Sequence, residues 1–397
     1  MASAVFSTWN ALPPIGPLAI SYWLLLIAIL LLFIDSTAAK LRPLVPMWIG
    51  LPILALVIVL IGNYLFPTEP AYLGSRFVYF DAATVADANP LIRAVQWGIG
   101  LAALPLCLAT AGLIRSTWIP KVMYAWVFGI AVSGTVACLD FVGLTSFSLN
   151  LLGFENAGAR QAGLTFHPNS LGISCAMALP IAMVGASRRP RIGTIFLALL
   201  IAGAFVSGSR AAQAGAVAGV LFTLLFVPSS RRVIVPLSLI GVGLGVALFL
   251  STPDLFRDAA QILRFTEGSS GASDVGRSEL AAQGVRDFVE RPIIGIGLEY
   301  LLFAHSVPLQ LAAAGGILLA VPMAVYFAAA LIQGWRVGAT IGDPARSYVA
   351  ALAVWMGVGL VSNQLIDVFL YYPIAGIVAA LSLQQARQLR LAAPLTA

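Results

Sequence analysis

The chain has 397 residues, 60% of them hydrophobic and only 10% charged, with a formal net charge of +6. A mean hydropathy of +0.96 excludes an ordinary soluble globule and a disordered chain alike, since both are far more polar. The apolar runs are continuous over about 17–25 residues rather than alternating in segments of about ten, so they predict spanning helices and not barrel strands.

Taken in chain order, the runs predict about eleven spans: roughly 17–34, 45–66, 93–114, 121–143, 168–186, 192–208, 210–227, 233–250, 306–331, 347–368 and 371–386. The expected fold is an all-α integral membrane protein, one polytopic bundle over 1–397. No basic n-region or cleavage site precedes the first run, which is therefore expected to be retained as a span. Lys40 and Arg42, Arg115 and Lys121, the "SRRPR" run at 187–191, Arg231 and Arg232, Arg336 and Arg346, and the tail "QQARQLR" fall in alternate connections. By the positive-inside preference these connections are cytoplasmic, with the N-terminus outside and the C-terminus inside.

Arg210 falls in "VSGSRAA", between two apolar runs of about 17 residues, and so at the outer tip of a helical hairpin rather than at mid-membrane, where a charge is costly. It has company. Arg76, Arg93, Arg160, Arg257, Arg264, Arg277, Arg286 and Arg291 also fall on the outer side, whereas both lysines, Lys40 and Lys121, fall inside. Arginine without lysine suits two-point binding of phosphate oxygens. The competing reading pairs these arginines with acids such as Glu155, Asp254, Asp258 and Glu267.

Three outer connections are long: 67–92, with Asp81 and Asp87; 144–167; and 251–305, the longest and most charged. Within the third, "SDVGRSELAAQGVRDFVERP" predicts an amphipathic helix starting near Asp274 and Gly276 and ending at Pro292. Its expected apolar face is Leu280, Ala281, Val285, Phe288 and Val289, with Glu279, Arg286, Asp287 and Glu290 opposite. This start puts Arg277 in the first turn, where a cation opposes the helix dipole unless an anion is bound. His305 marks re-entry into the membrane. His167, in "FHPNSLG", sits at a matching boundary that reads chiefly as a helix start, with Pro168 in the first turn and Asn169 and Ser170 satisfying free amides. Cys107, Cys138 and Cys175 fall inside spans and read as small apolar residues, and two histidines without a Cys/His cluster give a metal site no support.

"GLTFHPNSLGISCAMALP", then "VSGSRAA", then "GRSELAAQGVRDFVERPIIGIG" and "AHSVPLQLAAAGG" together resemble the O-antigen ligase and polymerase superfamily over about 163–316, a core that includes the 251–305 loop. The resemblance implies a GT-C-like membrane glycosyltransferase, independent of metal and cofactor, in the bacterial inner membrane with its active site facing the periplasm. Its donor would be an undecaprenyl-pyrophosphate-linked glycan, and its acceptor a lipid A-core sugar (ligase) or a second lipid-linked glycan (polymerase). No nucleic acid partner is implied. The positions matching the family's functional residues are Arg210, Arg277 and His305. On this reading the two arginines hold pyrophosphate and His305 is the base of an inverting transfer. Arg286, Arg291, Arg160 and His167 are further candidates for substrate contact. The chain departs from the family pattern at His305-Ser306, where His-Asn is common, and in having no acid in "LQLAAAGG". A flippase or transporter, and a metal-aided glycosyltransferase using Asp81 or Asp87, are the rival readings. Transport is disfavoured because the charges collect at span ends rather than near the midplane.

Overall fold

The computed structural model describes residues 1–15, 18–35, 37, 46–75, 89–147, 160–232, 235–236, 271–300, 304–362 and 368–392. Lys40, Arg42, Arg76, Asp81, Asp87, Glu155, Asp254, Arg257, Asp258, Arg264, Glu267 and Asp367 lie outside the described residues, as does nearly all of the span expected at 233–250. Among the described residues the regular structure is helical: α1 (Ala2–Phe6), α2 (Ile20–Ile34), α3 (Leu51–Leu65), α4 (Pro70–Ser75), α5 (Pro90–Gly98), α6 (Leu104–Ile114), α7 (Trp118–Phe141), α8 (Pro168–Arg188), α9 (Pro190–Val206), α10 (Arg210–Phe226), α11 (Gly271–Glu290), α12 (Val307–Ile341), α13 (Asp343–Gly359) and α14 (Val368–Ala392). A π-turn over Ile99–Ala103 joins α5 to α6.

Among the described residues five helical segments are long and apolar enough to cross a membrane: Met47–Leu65, Pro90–Ile114, Trp118–Phe141, Pro168–Arg188 and Val307–Ile341. Ile20–Ile34, Pro190–Val206 and Arg210–Phe226 are apolar but shorter. Large apolar side chains project outward from several of these helices, among them Leu31 and Phe33 on α2, Leu54 and Ile61 on α3, Ile201 on α9, Val217 and Leu221 on α10, and Val321 on α12. Such a belt has no place in water. The chain is a membrane protein.

At the centre is α8, buried along nearly its whole length and packed against α7, α9, α10 and α13. Its inward residues are mostly small, including Gly172, Ser174, Cys175, Ala176, Ala178, Ala182 and Ala186. Small residues let membrane helices approach backbone to backbone, where dispersion rather than water exclusion holds them. A side chain at Gly203 of α9 would sit 3.0 Å from the Gly134 Cα of α7. On the other flank α12 packs on α3, α13 and α14, and α14 on α6.

Three features go beyond or against the expectations. The chain start packs into the bundle. Ser3, Ala4, Ser7 and Thr8 are buried, Ser3 Oγ donates to Ser21 O (2.8 Å), and Trp9 Nε1 donates to Gly129 O within α7 (2.8 Å). Its small and hydroxylated residues allow this, since the Ser3 and Ser7 hydroxyls find backbone acceptors inside. The span expected at 347–368 stops at Gly359, where α13 gives way to a turn over 360–362. Third, α12 is not a plain span.

At Gly316 the α12 backbone leaves the helical region, with φ 59° and ψ −158°, a conformation open only to glycine. A break in a spanning helix frees peptide groups that lipid cannot satisfy. The segment 292–297 satisfies them. Ile296 and Gly297 N–H donate to Ala313 and Ala314 O (both 3.0 Å), while Ile317 and Leu318 N–H donate to Pro292 O (2.8 Å) and Ile293 O (3.2 Å). From the other side Thr68 Oγ1 donates to Ile296 O (2.7 Å) and Asn63 Nδ2 to Ile294 O (3.3 Å). The "PIIGIG" and "AAAGG" stretches are thus two halves of one backbone joint.

The joint leaves no room for a side chain. At Gly295, φ 68°, an added Cβ would lie 2.4 Å from the Ala314 carbonyl carbon. Gly295→Ala is expected to cost at least about 3 kcal/mol, combining backbone strain with a clash. Gly143→Ala has a similar φ, 74°, but open space around it, and should cost only about 1–2 kcal/mol. Thermal unfolding of the purified variants measures both, and equal losses would contradict the joint.

Candidate functional site

The site grows from a tight reversal between α9 and α10. Ser207 ends α9, Gly208 turns the chain at φ 58°, and Ser209 caps α10 by accepting from Ala212 N–H (3.4 Å). Gly208 is required twice over, because a Cβ there would also lie 2.9 Å from Arg160 Cγ. Arg210 then occupies the first helical position of α10, where the helix dipole opposes a positive charge.

Arg160 is laid across this turn. Its Nε donates to Ser207 O (3.0 Å) and its Nη2 to Asn169 Oδ1 (2.5 Å). Asn169 is in the first turn of α8, whose cap is His167: the ring Nδ1 accepts from Asn169 N–H (3.0 Å). With Nδ1 accepting, the neutral ring carries its proton on Nε2.

From the other side come α11 and the start of α12. His305 has φ 52°, the left-handed region, and among the described residues no other non-glycine residue has a positive φ. Strain of this kind collects at functional sites. It turns the chain into α12, capped at Ser306.

Arg160, Asn169, Ser209, Arg210, Arg277 and His305 line one small cavity of about 30 Å³, closed by Val361 and Ser362 from the turn after α13. Among the described residues that line it none is acidic. The starts of α8, α10 and α12 all meet there, so the positive ends of three helices join three arginines, an arrangement suited to an anion. An ion pair, Arg346–Asp343 (3.7 Å), lies at the opposite end of α13.

Two of the remaining sequence candidates are elsewhere. Arg286 Nη2 donates to Gln283 Oε1 (2.8 Å) along its own helix. Arg291 Nη1 donates to Thr68 Oγ1 (2.7 Å) and Nη2 to Phe66 O, tying the joint to the end of α3. Arg93 Nη1 donates to Leu298 O. His167 stands beside the cavity rather than in its wall, close enough to feel Arg160 and His305.

Helix α11 also differs from expectation. It begins by Gly271, so Arg277 is about two turns in, and the dipole argument made for it belongs to Arg210 instead. Its buried face is rotated. Asp287 is 0% exposed whereas Val289 is 69% exposed. Gly284 sets this rotation by fitting against Ala304 and Leu309. Asp287 is compensated by Tyr72 Oη and Gln283 Nε2, both donating to its Oδ1 at 2.8 Å. Hydropathy counting could not see those partners. It also missed Asn169 as a support for Arg160, and Ser362, whose signal is the polar break "VSNQ" in an apolar run.

Among the described residues no three His, Cys, Asp or Glu side chains gather as metal ligands would. Residues 195–324 match the family model described as O-antigen ligase. This match supports membership of the O-antigen ligase superfamily. The matched segment carries Arg210, Arg277, His305 and both halves of the backbone joint; Arg160 and Asn169 precede it. No curated protein matches the chain. In general terms the match supports an O-antigen ligase-like function, that of a membrane glycosyltransferase-like ligase.

Both histidines of the chain are held neutral. Burial, then Arg160 and His305, push His167 from 6.5 down to about 4. Burial, then Arg277, push His305 down to about 4 as well. A histidine bound neutral contributes its stability fully above about pH 6.5 and loses it as pH falls toward about 4, because the unfolded chain takes up the proton first. The midpoint of thermal unfolding is therefore expected to drop across that window. His167→Asn keeps a cap acceptor but removes one titration, and its profile should be flatter. Identical profiles would contradict the assignment.

Proposed function

We propose that the cavity binds the pyrophosphate of an undecaprenyl-linked glycan donor, and that the chain transfers this glycan to a sugar hydroxyl of a lipid A-core or other glycan acceptor. The observation carrying this reading is the meeting of Arg160, Arg210 and Arg277 with His305 around one cavity at three helix starts. The bundle is GT-C-like on this reading, with about eleven spans. The basic clusters at Arg188–Arg191 and Arg231–Arg232 lie at the opposite ends of α8, α9 and α10, which favours a periplasmic cavity in a bacterial inner membrane.

In the transfer, His305 Nε2 or Nδ1 takes the proton of the acceptor hydroxyl as its oxygen attacks the anomeric carbon. The bond from that carbon to the pyrophosphate oxygen breaks on the opposite face, inverting the configuration. Charge then builds on the leaving polyprenyl pyrophosphate, where fixed cations stabilise it more than they stabilise the donor. No residue need supply a metal, since guanidinium groups provide the positive charge.

About 30 Å³ has room for a water molecule or two, not for a diphosphate. Phosphate oxygens therefore reach into the cavity while the glycan and isoprenoid stay at its mouth. The break at Gly316, by contrast, is filled with protein backbone. It does not line a substrate path, as broken helices of transporters do, and this supports transfer over transport.

Arg210→Ala and Arg277→Ala are each expected to lower kcat about 10²–10³-fold in transfer from a polyprenyl-pyrophosphate glycan, with lysine restoring little. Arg286→Ala should stay within about tenfold of the parent, since that side chain pairs along its own helix. Supplying donor without acceptor separates the two chemistries of the superfamily, because only a polymerase extends it. For kcat/KM, a base at about 4 predicts a flat profile from pH 7.5 down to about pH 5. An acid limb near 6.5 would show that His305 is not the base in the surroundings described.

A further inference from the structure

The outward face of α11 has a use that the transfer reaction leaves unexplained. Val285, Val289 and Ile293 recur at four-residue intervals and are all exposed, Val289 at 69% and Ile293 at 58%, with Val275 on the same side. Glu279, Arg286 and Glu290, exposed too, form a charged flank along one edge of this strip. The helix thus has three faces: one buried on α12, one apolar and outward, one charged. A peptide helix with an apolar strip beside a charged face lies in the plane of a membrane surface.

The occupant of the strip is indicated by what it runs into. Pro292 O accepts from Ile317 N–H, so Ile293 adjoins Ile317 on α12, which is itself 47% exposed. From Ile317 the outward apolar surface continues down the spanning helix through Val321 and Val325. On the neighbouring α3, Ile61 and Leu65 are exposed beside Gly62, which touches Ile294. Exposed apolar side chains therefore run from the spans onto α11.

We propose that α11 is an interfacial helix whose Val285–Val289–Ile293 strip is immersed in the bilayer at the boundary of headgroups and acyl chains, about 5–10 Å below the surface. The backbone joint at Gly316 fixes its height, because the strip ends in the segment that fills the break. On the functional reading above, this holds Arg277 at the depth of a lipid-borne phosphate group, so that a donor reaches it by lateral diffusion.

The test needs no substrate. Single cysteines at 285, 289, 293, 279 and 290, in a chain with Cys107, Cys138 and Cys175 replaced, are spin-labelled in lipid nanodiscs. Accessibility to oxygen and to a water-soluble nickel chelate is then measured. The proposal predicts high oxygen and low nickel accessibility at 285, 289 and 293, and the reverse at 279 and 290. High nickel accessibility at all five would overturn it, as would shielding of the strip from both reagents, the sign of a protein partner or second copy. Transfer activity of the same labelled proteins is read separately, so loss of the interfacial placement and loss of the glycosyltransferase reading give different results.

Discussion

A spanning helix cannot be broken in lipid unless something replaces the lost peptide hydrogen bonds. In this chain the replacement is the stretch 292–297, which enters the break of α12 at Gly316 and forms four backbone hydrogen bonds there. Much of the architecture around the cavity depends on that joint. It fixes the end of α11, and through it the height of Arg277. It also fixes α12, and through it the strained turn at His305. Residues 277 and 305 are separated by a long excursion of chain, yet the joint between them is what makes their meeting reproducible. Thr68, Asn63 and Arg291 then secure the inserted segment from α3, so the joint is held on both sides.

The electrostatics of the cavity follow from what surrounds it. Three arginines and three helix starts gather at the cavity, and the Arg277 charge, added to burial, keeps His305 neutral. On the proposed function, a bound diphosphate reverses the sign of the field. The imidazole then becomes a stronger base when a donor is present than when it is absent. The same groups that bind the leaving group would thereby prepare the proton acceptor, which couples donor occupancy to readiness for attack without any moving part.

Much of this was legible in the sequence because it rests on local rules. Long apolar runs gave helices at nearly all of the expected places among the described residues. "HPNS" reads as a helix start because proline, serine and asparagine suit free amides, and "SGSR" as a hairpin tip between two apolar runs; in the structure α8 starts at the first and the second is the reversal between α9 and α10. What was not legible depends on partners distant in sequence. Val285 and Val289 look like core residues by periodicity, but Asp287 is the one buried, because Tyr72 and Gln283 compensate its charge. Arg286 and Arg291 look like phosphate ligands by type and by expected side, yet neither lines the cavity. The glycines of "GIG" and "AAAGG" are ordinary turn signals until each is seen to be the room the other needs. The buried start of the chain escaped notice because weakly polar residues are equally at home in water and among small-residue helices.

The claim at the centre is that this cavity recognises a diphosphate carried on an isoprenoid. Titration of the purified protein in detergent with a short prenyl pyrophosphate, against the matching prenyl alcohol, tests it most directly. The account predicts saturable binding of the pyrophosphate alone, at least tenfold weaker when Arg210 and Arg277 are both alanine. Equal affinity for alcohol and pyrophosphate, or binding unchanged by the double substitution, would contradict it.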